Sequence, residues 1–302
     1  MMTPPPFSAG WLREAIGDLP SDGADLLGQG LWGPTIDLRD GTVLKLVRRQ
    51  AGIGDGLDIQ RNEARVLAAL DSCRLGPLEV PRLVAQGRFA ADTTAAAAGY
   101  GAWLRLTRVA GRPCGEARLA GLSARERDRF AGNLGESIAA LQGAAREALG
   151  PAAALDDRAS ALLTGLAAAR RADAELCAAL AERLTRVPAE RRGGFVHGDA
   201  HLSNLLLGEN GLICGVVDFA EAGRGFPEID LAYLHWLPQL AAGARRSYEA
   251  AAQSIDDAAY HLAGAIYALT SAVITEQNGH VGDAATDRQL LAACLDVLGI
   301  AT

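Results

Sequence analysis

Two lobes of α+β character, a five-stranded antiparallel sheet within residues 1–109 and a mainly helical part within 110–302, are what this sequence predicts. Three observations carry the prediction. Short apolar runs separated by Gly-, Pro- and Asp-containing turns crowd the first third of the chain. Long Ala-, Leu- and Arg-rich stretches of helical texture begin at Leu122 and resume after Leu231. Between them one hairpin, 205–217, returns to strand texture. No internal repeat and no further domain emerges.

In chain order, Trp11-Leu12-Arg13-Glu14-Ala15-Ile16 has a short helical pattern expected to pack on the edge of the sheet that comes after it. Leu26-Leu27 opens a strand that enters Gly28-Gln29-Gly30-Leu31-Trp32-Gly33, a literal G-x-G-x-x-G. Alone that motif is weak, because dinucleotide-binding folds use it too. Its context separates the two cases. A dinucleotide loop enters a helix, whereas Pro34-Thr35-Ile36-Asp37-Leu38 alternates as a strand, Asp40-Gly41 makes a hairpin turn, and Thr42–Val47 returns carrying Lys45. Strand, glycine loop, strand, turn and strand with lysine is the order of a kinase nucleotide lobe. Gly28, Gly30 and Gly33 would let backbone amides approach phosphates closely. Lys45 is the only lysine beside 28 arginines, and its compact ammonium reaches between phosphates where a planar guanidinium does not. After a glycine-rich connection over 51–57, Asp58 is expected to cap a helix from Ile59 to Leu70 that buries Val66, Leu67 and Leu70. Glu63, one turn inside, is the expected partner of Lys45, in competition with pairing to Arg61 and Arg65. Val80–Phe89 and Trp103–Val109 complete the five strands.

In the second part, Ser123-Ala124-Arg125-Glu126 reads as a capping box that opens a helix toward Arg146, and 152–187 as one long or two short helices. Phe195-Val196 then delivers the chain into His197-Gly198-Asp199. Asn204 follows Asp199 by five residues, the separation in the template H-R-D-x-x-x-x-N. Leu205–Leu207 and Leu212–Val217 flank a Gly208-Glu209-Asn210-Gly211 turn, which brings Asp218 back beside Asn204. Phosphoryl transfer needs such a set, since the protein mainly positions a charged group and supplies cations to it. Asn204 and Asp218 are hard oxygen ligands suited to Mg2+, and Asp199 would orient an acceptor hydroxyl and take its proton late. A competing assignment makes His197, Asp199 and His201 the zinc ligands of a hydrolase. The other histidines, His235, His261 and His280, show no ligand spacing that would extend it.

The segments His197-Gly198-Asp199-Ala200-His201-Leu202-Ser203-Asn204, Asp218-Phe219 and Asp230-Leu231-Ala232 resemble the H-G-D-x-H-x-x-N, D-[FW] and D-x-A motifs of the aminoglycoside phosphotransferase and choline kinase superfamily, which has a protein-kinase-like fold. The resemblance implies an ATP-dependent small-molecule kinase, with GTP as another donor. It makes Asp199 the catalytic base, Asn204 and Asp218 the Mg2+ ligands, and Asp230 a brace of the lobe. It also places the hinge at Val109-Ala110-Gly111-Arg112, where backbone groups near Thr107 and Val109 hold the adenine edge. The implied acceptor is a small hydroxylated molecule, aminoglycosides first, then macrolides, choline-like alcohols and sugars, and with it comes a link to antibiotic resistance. Gly198 stands where protein kinases carry the Arg that pairs with a phosphorylated activation loop, and no A-P-E follows Asp218, so regulation by loop phosphorylation is not expected. A catalytically silent nucleotide-binding relative is the alternative within the same fold. The joint presence of Lys45, Asp199, Asn204 and Asp218 weighs against it.

Composition bounds the partners. A net charge of -7 lacks the basic excess a nucleic-acid binder uses to displace counterions, and is compatible with a cationic acceptor. Five scattered cysteines read as small hydrophobes in a reducing compartment. The beginning, MMTPPPFSAG, has no charged start with a long apolar core, and no run is expected to approach a membrane span. The expected location is therefore cytoplasmic. Three aromatic rings, Tyr233, His235 and Trp236, are candidates for a substrate wall or for lobe core. Glu221, Glu228, Asp256, Asp257 and Glu276 are candidates for binding a polyamine or for solvated helix faces.

Overall fold

Alternating side chains in the first third build one antiparallel sheet in the computed structural model, which describes residues 9–17, 24–49, 55–71, 73, 75–149, 155–168, 172–277 and 281–301. Its strands are β1 (Asp25–Gln29), β2 (Pro34–Asp37), β3 (Thr42–Arg48), β4 (Leu83–Arg88) and β5 (Tyr100–Thr107), in the spatial order β1-β2-β3-β5-β4. Lys45 pairs with Thr35 on one side and Leu104 on the other, so its strand is interior to the sheet. Ile36, Leu38, Leu44 and Leu46 form one apolar face. Trp11 and Leu12 of helix α1 (Ala9–Ile16) pack into that face with Phe89 and Tyr100, the Trp11 and Tyr100 rings lying 5.2 Å apart. The first helix thus covers the core instead of sitting at its edge, because an indole of that size buries more apolar area on the face.

Helix α2 (Gly56–Leu70) begins earlier than its sequence suggests. Asp55, not Asp58, is the cap, accepting a hydrogen bond from the Leu57 amide at 2.8 Å. The front of the 51–57 connection lies outside the described residues. Its buried face carries Gln60, Glu63, Ala64, Val66, Leu67 and Leu70. The alanine run between β4 and β5 folds as a short helix α3 (Thr94–Ala97), whose amides at Thr94 and Ala95 donate to the Glu14 carboxylate at 2.8 and 2.9 Å. β5 starts before the expected Trp103, at Tyr100.

The chain divides into two units, 1–71 with 80–109, and 72–79 with 110–302. The second contains β6 (Arg112–Pro113), α4 (Glu116–Ala120), α5 (Ala124–Leu149), α6 (Arg158–Ala168), α7 (Ala174–Arg186), α8 (Ala189–Arg192), β7 (Gly194–Val196), β8 (Leu205–Leu207), β9 (Ile213–Val216), β10 (Gly223–Gly225), α9 (Pro238–Ala251), α10 (Asp257–Gln277) and α11 (Val281–Leu298). The architecture is therefore a bilobal α+β fold of protein-kinase-like type, a five-stranded antiparallel sheet followed by a mainly helical lobe. Glu126 accepts from the Ser123 amide at 2.9 Å and donates its own amide to Ser123 Oγ at 3.3 Å, closing the capping box at the start of α5. Of the two options for 152–187, two helices form, α6 and α7. Gly135 lets α5 and α9 touch backbone to backbone, since a Cβ there would lie 2.1 Å from the Ala244 carbonyl oxygen.

The expectation that no run approaches a membrane span is corrected by α10. Asp257–Glu276 is long and apolar enough to cross a membrane, with a mean hydropathy of 1.3, but 67% of that window is buried among its neighbours, so apolarity here serves the lobe core.

Candidate active site

In the first unit, β3 and α2 bring together two charged groups that sequence reasoning paired. Lys45 Nζ lies 2.8 Å from Glu63 Oε2, and the two side chains are only 8% and 1% exposed. The competitors for Glu63 are engaged elsewhere, Arg61 with Asp58 and Arg65 with Asn62. Buried charge is tolerated only when paired, so the single lysine is fixed in position. Of the three loop glycines, the backbone demands Gly33: its φ is +149°, and a Cβ would sit 2.0 Å from the Leu46 carbonyl oxygen. The Gly30 amide donates to the Gly33 carbonyl at 3.0 Å. Gly28 has open space around it. Thr107 donates its amide to the Arg82 carbonyl at 2.9 Å, and Val109 is buried.

In the second unit, β7 delivers the chain into a loop held from both sides. The buried Asp230 carboxylate accepts from the His197 amide at 3.0 Å, the Gly198 amide at 2.8 Å and Gln142 Nε2 at 2.8 Å. Gln142 is itself fixed by the Tyr248 hydroxyl at 2.7 Å, and Tyr267 donates to the Gly198 carbonyl at 2.5 Å. Burial pushes Asp230 up, and its hydrogen bonds to His197, Gln142 and Gly198 oppose the rise. Gly198 has φ +75°, and a Cβ would lie 2.2 Å from the Glu221 carbonyl oxygen. Only glycine fits there, which gives the departure from the protein-kinase Arg a steric cause. Arg158 on α6 pairs with the same Glu221.

The hairpin places the three oxygen-bearing residues side by side. Val217 donates its amide to the Asn204 carbonyl at 2.9 Å, and Leu205 pairs with Val216, so Asp218 follows directly beside Asn204. Asn204 Nδ2 donates to Asp199 Oδ2 at 2.8 Å and to the Asp199 carbonyl at 2.9 Å. That commits the amide nitrogen and leaves the amide oxygen as the atom that could ligate a metal. Tyr233 donates to the other carboxylate oxygen, Asp199 Oδ1, at 2.9 Å. Burial and the neighbouring Asp218 charge push Asp199 up to about 7, while the Tyr233 and Asn204 hydrogen bonds act against the shift. Asp218 adopts φ 67° and ψ 73°, a left-handed conformation that is costly for a side-chain-bearing residue and is typical of functional positions. Two carboxylates and an amide oxygen gathered by one hairpin could suit a hard divalent cation.

The zinc assignment fails on geometry. The fully buried His197 donates from Nε2 to the Val217 carbonyl at 3.1 Å and accepts the Asp199 amide at Nδ1 at 3.3 Å, so neither nitrogen is left for a metal. His201 Nδ1 faces Ser203 Oγ at 2.9 Å. The carboxylates considered for a polyamine are likewise taken by the fold. Glu221 pairs with Arg158, the buried Glu228 with Arg191, Asp257 with Arg245 and Glu276 with Arg288, while Asp256 accepts the Ala259 amide. Sequence reasoning missed the parts played by Gln142, Arg158 and Tyr267, which sit on helices whose alanine-rich texture gives no local cue. It named Tyr233 but not its bond to Asp199; the only cue was its place right after the Asp230-Leu231-Ala232 motif.

The profile of the phosphotransferase enzyme family matches residues 35–264. No curated protein matches. Among solved structures, the GDP and kanamycin complex of APH(2")-IIia is 19% identical with a TM-score of 0.59, covering 95% of each chain. The gentamicin-APH(2")-IIa complex is 15% identical with a TM-score of 0.61, covering 97% of this chain and 95% of that one. Macrolide 2'-phosphotransferase MphH from Brachybacterium faecium is 19% identical with a TM-score of 0.54, covering 92% and 93%. At these identities the likeness is one of fold.

Proposed function

Because the chain belongs to the phosphotransferase enzyme family, we propose that it transfers the γ-phosphate of ATP, or of GTP, to a hydroxyl of a small molecule in the cytoplasm. The observation that carries this reading is Asp199, clasped at one oxygen by Tyr233 and at the other by Asn204, with Asp218 alongside. In this reading Lys45, steadied by Glu63, and the loop glycines Gly28, Gly30 and Gly33 hold the nucleotide phosphates. Backbone groups at Thr107 and Val109 hold the adenine edge. Asn204 and Asp218 are the ligands for Mg2+, which when bound supplies positive charge to the phosphate oxygens. Asp199 accepts a hydrogen bond from the acceptor hydroxyl, turns its lone pair in line with the phosphorus, and takes the proton late. A carboxylate fixed at both oxygens has little freedom to lose on doing so.

The acceptor class we favour is aminoglycoside-like. The net charge of -7 is compatible with a cationic acceptor, and solved structures of the same fold are named as complexes with kanamycin and gentamicin. Acceptor recognition is not assigned to Glu221, Glu228, Asp256, Asp257 or Glu276, which the fold already uses.

ATP and GTP consumption across a panel of hydroxylated acceptors, measured for the native chain and for Asp199→Ala, tests the reading. Transfer to at least one acceptor, abolished by EDTA, restored by Mg2+ and lost in Asp199→Ala, is the expected result. Equal turnover in both proteins rejects the assigned base. Magnesium-dependent nucleotide binding without transfer to any acceptor favours the silent alternative.

A further inference from the structure

Away from Asp199, three potential ligand side chains that are distant in sequence converge: His235 at the end of the 3-10 turn Ala232–His235, His261 on α10 and Cys294 on α11. The fold supplies what the sequence spacing of His235 and His261 did not suggest; His280 lies outside the described residues. One ligand atom from each lies within 4.8 Å of the others, and His235 Nδ1 is 4.0 Å from Cys294 Sγ. We propose that these residues form a site for a divalent transition-metal ion of the zinc class.

Three further observations make this a built site. The far nitrogen of His235, Nε2, meets the Tyr260 carbonyl at 3.2 Å. A carbonyl only accepts, so Nε2 carries the proton and the Nδ1 lone pair faces the thiol; a backbone acceptor behind a ligating imidazole is the usual support of a metal-bound histidine. His261 Nδ1 is buried and has no hydrogen-bond partner, a state that costs free energy unless something coordinates the atom. Gly264, one turn after His261 on the same helix, lets the His235 ring and Cys294 pack directly on α10: a Cβ there would sit 2.5 Å from His235 Nε2 and 3.0 Å from Cys294 Sγ. The plain alternative is a thiol donating to an imidazole. It accounts for the His235–Cys294 contact at the outer limit for sulfur, and for nothing at His261.

The donor chemistry sets the ion. Two imidazoles and a thiolate suit Zn2+ or Co2+ and are too soft for Mg2+. With metal–nitrogen bonds of about 2.0 Å and a metal–sulfur bond of about 2.3 Å, tetrahedral ligands stand roughly 3.3–3.6 Å apart, so the triad closes in by about 1 Å on binding. His235 and His261 are half-buried, so the site is not sealed from solvent. Arg245, whose charge is felt at both imidazoles, is paired with Asp257 and stacks 4.8 Å over Tyr260, which in turn stacks on His235. An ion here would tie the turn that carries Tyr233 to the helix that carries Tyr267, and both tyrosines bear on the Asp199 loop.

Titration of the metal-stripped full chain with Co2+, read by thiolate-to-cobalt charge-transfer absorption and by competition with Zn2+, tests the site. Stoichiometric binding with a thiolate band, lost in Cys294→Ala and in the half-buried His261→Gln but retained in Asp199→Ala and His201→Gln, is expected. Should Cys294→Ala not fold, His261→Gln alone decides. Absence of a thiolate band in the native chain overturns the proposal, as does a band that survives His261→Gln or vanishes in Asp199→Ala.

Discussion

Truncating Glu63 while Lys45 stays in place takes the paired carboxylate from an ammonium buried in the interior of the amino-terminal sheet. The pair is separated by 2.8 Å, and with the two side chains 8% and 1% exposed there is little water to take over solvation of the survivor. Breaking a buried pair by removing one member costs about 3–5 kcal/mol, which is roughly two to four powers of ten in the unfolding equilibrium. Replacing both members with apolar groups, Lys45→Met with Glu63→Leu, removes both charges together and is expected to stay within about 1 kcal/mol of the native chain. Urea unfolding followed by tryptophan fluorescence reads this well, because Trp11, Trp32 and Trp103 lie in the first unit and only Trp236 in the second. A coupling of about 2 kcal/mol or more in the double-mutant cycle is the expected outcome. If Glu63→Ala costs less than about 1 kcal/mol, or the double variant is as unstable as the single, the pair is not closed in solution and the positioning argument for Lys45 falls.

Gly198→Ala forces a Cβ to within 2.2 Å of the Glu221 carbonyl at a φ of +75°; the left-handed backbone alone costs about 1–2 kcal/mol, and steady-state kinetics should show kcat falling while nucleotide affinity holds. Asp230→Asn takes a three-fold acceptor from His197, Gly198 and Gln142 and turns an amide NH2 toward at least one of those donors. At about 1.5–3 kcal/mol for each bond to a charged group, thermal unfolding should show a loss of at least one such bond, and activity should fall with it. Asp55→Ala removes the α2 cap and should lower stability by about 1 kcal/mol, whereas Asp58→Ala, at the residue the sequence favoured, should change it by less.

What was legible came from short-range constraints. The G-x-G-x-x-G between two strands, the Ser123–Glu126 box and the Asn210-Gly211 turn each specify local backbone, and each lies where it was expected. The spacing of Asp199, Asn204 and Asp218 was readable because a hairpin fixes which residues stand opposite one another. The remaining elements depend on contacts between distant segments. Glu14 capping α3, Gln142 reaching Asp230 and Tyr267 reaching the Gly198 carbonyl span 69 to 88 residues, and no local pattern announces them. The Asp55 cap was missed because two aspartates three residues apart offer the same chemistry, and only the approach of Gly56 to the Arg48 carbonyl, where a Cβ would lie 1.7 Å away, fixes the start of the helix.

That the sole lysine is interior, 6% exposed, has a practical side. Apart from the five histidines, every other basic side chain is a guanidinium, which keeps its proton through any ordinary buffer. No solvent-facing side chain offers a primary amine to acylating reagents or to lysine-directed conjugation. Amine-selective labelling of a side chain would therefore report the opening of one enclosed compartment, and protection from it would measure how firmly that compartment is shut.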